Sequence, residues 1–364
     1  MKKLIGVFVC LTLVFIVAAC GSSPKVAEPP AGTESYYVRA DGNDRNAGTS
    51  EDAPFKTLTR AIEVASKTSV KKITVIGTLV EEVSTENAAT SLWRKNWDDP
   101  NPAEILITGK PNATDDEKAV LTSQRDHVLI IHIALAIRLE NIEISGKKGS
   151  NNNSAVYIVG GELTLAQGAK ITNNIGSGVV VSFGGLLIMR DNSEISNNEA
   201  RVGGGIVLQN NEGSGYRLKR NCTAILLNNT LVTNNRAAYG GGIVMSGSEL
   251  VMMDNVIVSN NTASDWGGGI LTDGEESKVV SKITLRGSAA IINNSAQVGG
   301  GIFLQDQLTL FDSSRITGNT ASTGGGGVFM TGEAEVFEGN DNVNWESIIK
   351  DNNAPRGSDL LDAT

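Results

Sequence analysis

One asparagine returns seven times along this chain, at Asn174, Asn198, Asn235, Asn261, Asn294, Asn319 and Asn352, and its surroundings return with it. An apolar residue stands three positions earlier (Ile171, Ile195, Val232, Val258, Ile291, Ile316, Ile349) and another nine earlier (Leu165, Met189, Leu226, Met252, Leu285, Leu310, Val343). Most copies add a third, eleven earlier: Leu163, Leu187, Leu250, Ile283 and Leu308. Apolar residues spaced by two mark a half-buried strand. Seven before the Asn come Gln167, Asp191, Asn228, Asp254, Gly287 and Asp312, types that favour turns. Ala follows two after it in six copies, then a glycine run opening an apolar strand, as in Gly240-Gly241-Gly242-Ile243-Val244-Met245. Each copy reads strand, turn, strand, Asn turn, strand.

Three short strands per copy, with no helical stretch, predict one rung of an all-β solenoid. The fold class is a right-handed parallel β-helix, in which each strand pairs with its equivalent about 4.8 Å above. The Asn column then has a physical reason. Asn tolerates left-handed backbone, and its amide both donates and accepts, so stacked copies can form a hydrogen-bonded ladder. On this reading the interior Asn261 has partners on both sides and Asn352, near the end, on one. The preceding Asn (Asn173, Asn197, Asn234, Asn260, Asn293) gives way to Gly318 and Asp351, so it looks less essential. Leucine-rich repeats have a similar period but need a helical turn that a triple glycine cannot supply. The calcium-binding nonapeptide roll needs an Asp every ninth residue, which is missing. Gaps of 24 to 26 residues alternate with gaps of 33 to 37. The excess is placed after the glycine-rich strand, at 209–220, 272–282 and 331–344, which predicts a row of loops on one face.

The Ile/Val-x-x-Asn and Gly-Gly-Gly-Ile elements resemble the Phe-x-x-Asn and Gly-Gly-Ala-Ile tetrapeptides of the polymorphic outer-membrane protein repeats, over residues 171–359. Ile or Val replaces Phe, Gly replaces Ala, and no autotransporter barrel is read at the C-terminus, so display is expected to come from a lipid. Upstream, Tyr37-Val38-Arg39-Ala40-Asp41-Gly42-Asn43-Asp44, Gly48-Thr49 and Pro54-Phe55-Lys56-Thr57-Leu58 with Ala61-Ile62 are similar to the opening of pectate-lyase-like β-helix proteins. That likeness implies a first strand and a short N-terminal capping helix. Leu58, Ile62 and Ala65 fall on one helical face independently of it.

Lys2 and Lys3 precede an apolar run, Leu4 to Val17, too short to span a bilayer with ease. Val17-Ala18-Ala19-Cys20 resembles the bacterial lipobox, which implies cleavage before Cys20 and lipidation of its thiol. Residues 21–35 are small and Pro-rich and are expected to remain an unordered tether. The expected organisation is a signal peptide at 1–19, a lipidated flexible tether at 20–35 and a single β-helix domain at 36–364. Within that domain the cap is 36–70, less regular rungs 71–160 and the repeats 161–359. Gly21 resembles the residue that sends lipoproteins to the outer membrane, a rule that does not hold in every bacterium. The expected location is the cell envelope, lipid-anchored, with the outer membrane favoured and the face left open. Cys222 is then the one remaining thiol, a small apolar core residue, and no intrachain disulfide is expected.

A formal charge of −9 with the two signs interspersed argues against nucleic acid as a partner. Asp41, Asn43, Asp44 and Asn46 suit a turn better than calcium, lacking the terminal Glu of the calcium loop. Asp191, Asp254 and Asp312 read as turn residues, with no basic group in their column. His127 and His132 would face opposite sides of a strand. Trp93 and Trp97, with Arg94 and Lys95, sit in an irregular insertion, either a covering loop or a sugar-stacking platform. No catalytic residue, cofactor or metal is assigned. The expectation is an envelope-anchored adhesin or binding and structural protein. Its partners are the membrane, through the N-terminal lipid, and a host or matrix protein or glycan on the loop face. The alternative is a polysaccharide lyase or other carbohydrate-active enzyme of the pectate-lyase-like fold.

Overall fold

A computed structural model describes residues 26–86, 88, 104–133, 135–148, 150, 152–210, 221–273, 279–311, 313–339 and 344–363. Their strands stack in parallel into four sheets of eleven, nine, ten and four members, here called first, second, third and fourth. The fold is a right-handed parallel β-helix, the hand that parallel crossovers adopt. One full turn runs through Glu249–Met252 (first sheet), Ile257–Ser259 (second), Thr262–Trp266 (fourth) and Ile270–Thr272 (third) before rejoining the first at Lys282–Leu285. Register sets like on like: Leu250 on Ile283, Val258 on Ile291, Ile270 on Ile302. All six lie in one continuous core. A one-residue slip would turn a whole column to solvent, so the period-2 pattern fixes the register.

The coil's first end is closed by a strand, Tyr36–Arg39, and a helix, α1, Leu58–Lys67. Thr57 caps the helix by accepting from Arg60 N (3.2 Å). Leu58, Ala61, Ile62 and Ala65 are buried against the first rungs. Burial of Leu58 and Ile62 stabilises this closure by roughly 1.5–3 kcal/mol each.

Four features depart from the sequence reading. The fourth sheet (Arg236–Tyr239, Thr262–Trp266, Ser295–Val298, Thr320–Gly324) adds a strand per turn where only a small residue was expected. Left-handed backbone belongs not to the ladder Asn but to the residue before it: φ is +54° at Asn260, +56° at Asn293, +69° at Gly318 and +58° at Asp351. Asn, Gly and Asp interchange there because all three reach that region. The third insertion is displaced. Glu335–Glu338 already occupies the first sheet beside Gln307–Leu310, so the excess residues follow that strand, and two of the three insertions share a phase rather than three. Finally, the tether is fastened over residues 26–35. Glu28 Oε2 accepts from Ser69 N (3.0 Å) and Ser69 Oγ (2.8 Å), Val26 packs on the core, and the Ser35 hydroxyl pairs with Thr74 Oγ1 (2.8 Å). Among the described residues no helix is long and apolar enough to cross a membrane.

Candidate functional site

The seven asparagines lie one above another inside the coil, nearly all inaccessible. Asn261 shows the pattern. Its Oδ1 accepts from Asn235 N (2.9 Å) and Asn235 Nδ2 (3.1 Å), and its Nδ2 donates to Asn294 Oδ1 (3.0 Å) and Val232 O (2.9 Å). Side-chain links of 3.0–3.1 Å join Asn174 to Asn198, Asn198 to Asn235, Asn294 to Asn319 and Asn319 to Asn352. Every link donates toward the C-terminus. The last rung therefore needs an acceptor with no donor of its own, and Asp359 supplies it: Oδ1 takes Asn352 N (2.9 Å) and Nδ2 (3.1 Å). The expectation that Asn352 has a neighbour on one side only is corrected by that carboxylate. At the other end Lys147 stands in the Asn column and its N–H donates to Asn174 Oδ1 (3.1 Å). Its buried ammonium, held below the usual lysine range by burial, reaches Ile175 O (2.7 Å) and Ser150 O (3.1 Å).

The glycine run brings the third sheet close to this ladder. A Cβ on Gly242 would sit 2.5 Å from Gly269 O and 3.0 Å from Asn261 Nδ2, so no side chain fits. In the strand that follows, alternate residues point out of the coil. Val180, Val207, Val244, Leu271, Phe303 and Phe329 form one outward column in register. Val207, Val244, Leu271 and Phe303 are nonetheless buried, in a second apolar cluster flanked by Tyr239, Val298 and Phe329. Trp266 lies 5.3 Å from Phe303, near parallel at 15°. Phe303 lies 5.1 Å from Phe329 at 23°, and Tyr239 abuts Trp266 at 5.5 Å and 64°.

Beside this stack is an open groove of about 370 Å³, lined by Val202, Trp266, Leu271, Asp273, Gln305 and Thr331 among others. Trp266 is 45% exposed despite its size. Asp273 is the charged residue of the lining and forms no ion pair among the described residues. In the next rung Asp306 is 6% exposed; burial holds its carboxyl above the usual range against hydrogen bonding from Ser281 and Thr272, and Asp273 adds repulsion.

The sequence reading missed this groove. Among the residues it weighed, Gln167, Asp191, Asn228, Asp254 and Gly287 all have positive φ in the turn between first and second sheets. Asp44 is spent on the cap, accepting from Lys56 N and Thr57 N (both 2.9 Å). His127 stacks on Tyr157 at 5.4 Å, whereas His132 N donates to Thr85 Oγ1 (2.8 Å), so the two have separate partners. Cys222 is buried, its thiol 3.3 Å from Gln209 O. Cys20, Trp93, Arg94, Lys95, Trp97, Asp312 and Val343 lie outside the described residues, as do 211–220, 274–278 and 340–343 of the insertions.

Residues 255–273 match the model of the Chlamydia polymorphic membrane protein repeat. The matched stretch spans a second-sheet strand, ladder Asn261, Trp266 and the strand Ile270–Thr272, ending on Asp273. No curated protein and no solved structure matches the chain.

Proposed function

We propose that this chain is an envelope-anchored binding protein of the adhesin class, held by a lipid on Cys20 and recognising its partner through the groove beside Trp266. The carrying observation is the groove itself, an apolar recess on a rigid scaffold beside Trp266, a large ring left 45% exposed where soluble proteins usually bury such area. The matched repeat is described from Chlamydia membrane proteins, which supports an envelope setting. The fastened segment supports display. Chain geometry limits the reach from Cys20 to Val26 to about 20 Å, so the lipid would keep the capped end near the bilayer. Tyr239 and Phe303 lie six to eight rungs along the coil. At about 4.8 Å per rung, a coil standing on its cap would hold the groove roughly 30–40 Å farther out.

The partner is a host or matrix protein or a glycan. One observation favours the carbohydrate-active alternative: a buried acid, Asp306, close to Asp273 at the groove's end. Release of unsaturated or reducing ends from an acidic polysaccharide would establish that reading. The test of binding is a capture panel of immobilised matrix proteins and glycans, probed with unlipidated protein and with Trp266→Ala of unchanged circular dichroism. Loss of capture by Trp266→Ala is expected. Undiminished capture removes the groove as the site.

A further inference from the structure

The chemistry of the groove narrows its occupant, on the reading that it is the recognition surface. Two rings 5.1–5.3 Å apart and within 23° of parallel are too close to lie side by side in one plane. They overlap face to face with an offset. Phe303 is therefore flanked by rings on both sides, and Trp266 has Phe303 in the following rung and Tyr239 in the preceding one. A sugar that recognises aromatics lays its C–H face on an open ring face, and here neighbouring rings cover both faces of Phe303 and one face of Trp266. What the groove presents is apolar volume for branched or linear side chains.

Among the described residues its lining carries no positive charge. Asp273 lines the groove without an ion pair among the described residues, and the buried carboxyl of Asp306 lies near enough to repel it. Acidic groups beside an apolar surface are costly until a cation reaches them. The whole chain is acidic as well, at −9, which disfavours an anionic ligand over distance. No hydrogen bond among the described residues engages the Trp266 indole N–H or the Tyr239 hydroxyl, which leaves polar handles at the rim for a peptide backbone.

We propose that the groove takes an apolar, basic polypeptide segment, with aliphatic side chains against Leu271 and the rings of Trp266 and Phe303, and a lysine or arginine paired with Asp273. The probes are three synthetic peptides of equal length, alternating Lys-Leu, Glu-Leu and Lys-Ser, together with polygalacturonate and calcium alone. Binding to the full unlipidated protein is read by calorimetry and by the change in tryptophan emission that disappears in Trp266→Phe. The Lys-Leu peptide is expected to bind, the Glu-Leu and Lys-Ser peptides at least tenfold more weakly. Asp273→Asn, a near-isosteric change at a half-buried position, checked for unchanged circular dichroism, should weaken the Lys-Leu peptide about tenfold and flatten its salt dependence. Equal or tighter binding of Glu-Leu or polygalacturonate, failure of Lys-Leu to bind, or binding confined to calcium would each overturn the inference. If Trp266→Ala abolishes capture of an anionic glycan in the panel, the binding-surface reading stands and this one fails. If capture ignores Trp266, both fail.

Discussion

Replacing Asn261 with Leu tests the ladder at its centre. The substitution removes the acceptor for Asn235 N and Asn235 Nδ2, at 2.9 and 3.1 Å, in a column 0–1% exposed at these rungs. Asn235 Nδ2 keeps its bond to Ile195 O (3.0 Å), so one side-chain N–H and one backbone N–H are left without partners. At about 1–3 kcal/mol for each buried group left unsatisfied, the cost is about 2–6 kcal/mol, a large share of a domain's usual 5–15 kcal/mol or so. Asn261→Asp separates the two halves of the role. It still accepts both Asn235 bonds but has lost the donor for Asn294 Oδ1 and Val232 O, and it buries a charge. Its deficit should shrink on acidification, since a protonated carboxyl regains a donor. The control is Asn255→Leu, whose amide bonds Asn229 in an exposed position where water can replace it. Urea unfolding followed by circular dichroism gives midpoint and slope for each. A loss below about 1 kcal/mol for Asn261→Leu, or equal losses for Asn261→Leu and Asn255→Leu, would refute the ladder reasoning.

Asp306→Asn should stabilise the protein at neutral pH and leave it unchanged in acid. The native carboxyl is held above its ordinary value, so the folded state binds its proton more tightly and stability falls as pH rises from the ordinary aspartate range through the raised one. Thermal midpoints across pH check this, and a variant equal to wild type throughout would contradict it. Gly242→Ala should cost about 1–3 kcal/mol through overpacking against Gly269 O and Asn261 Nδ2, read from the same urea curves. Cys20→Ser should abolish metabolic labelling by fatty acid and release the chain from the membrane fraction; labelling that persists would remove the anchor assignment.

Much of the fold was legible because burial in a β-coil is written with a period of two. Ile171, Leu163 and Leu165 announce strands whatever the rung above contains, and the stacked Asn column marks each rung's phase. The groove was harder to read. In Ile243-Val244-Met245 three apolar residues follow one another, so the outward Val244 resembles core until the flanking rungs show that it points away. The aromatic column is hidden further by bulges. Tyr239 stands four residues after its ladder Asn and Trp266 five, because the fourth sheet shifts register between them, and aligning copies on the Asn leaves these rings out of line. That sheet carried a signal of its own in the repeated Ala, now seen as the buried position of a short strand (Ala237, Ala263, Ala321). The clasp of Glu28 on Ser69 joins residues 41 apart in sequence, and no local pattern reveals it.

The most direct measurement places a photoreactive amino acid at position 266 of the lipidated protein on intact cells, and another at Val80, a 63% exposed apolar site on an early rung. After incubation with the partner found by the capture panel, crosslinks from position 266 and none from position 80 are expected. Crosslinks from position 80 alone, or equal yields from both, would contradict recognition through the groove.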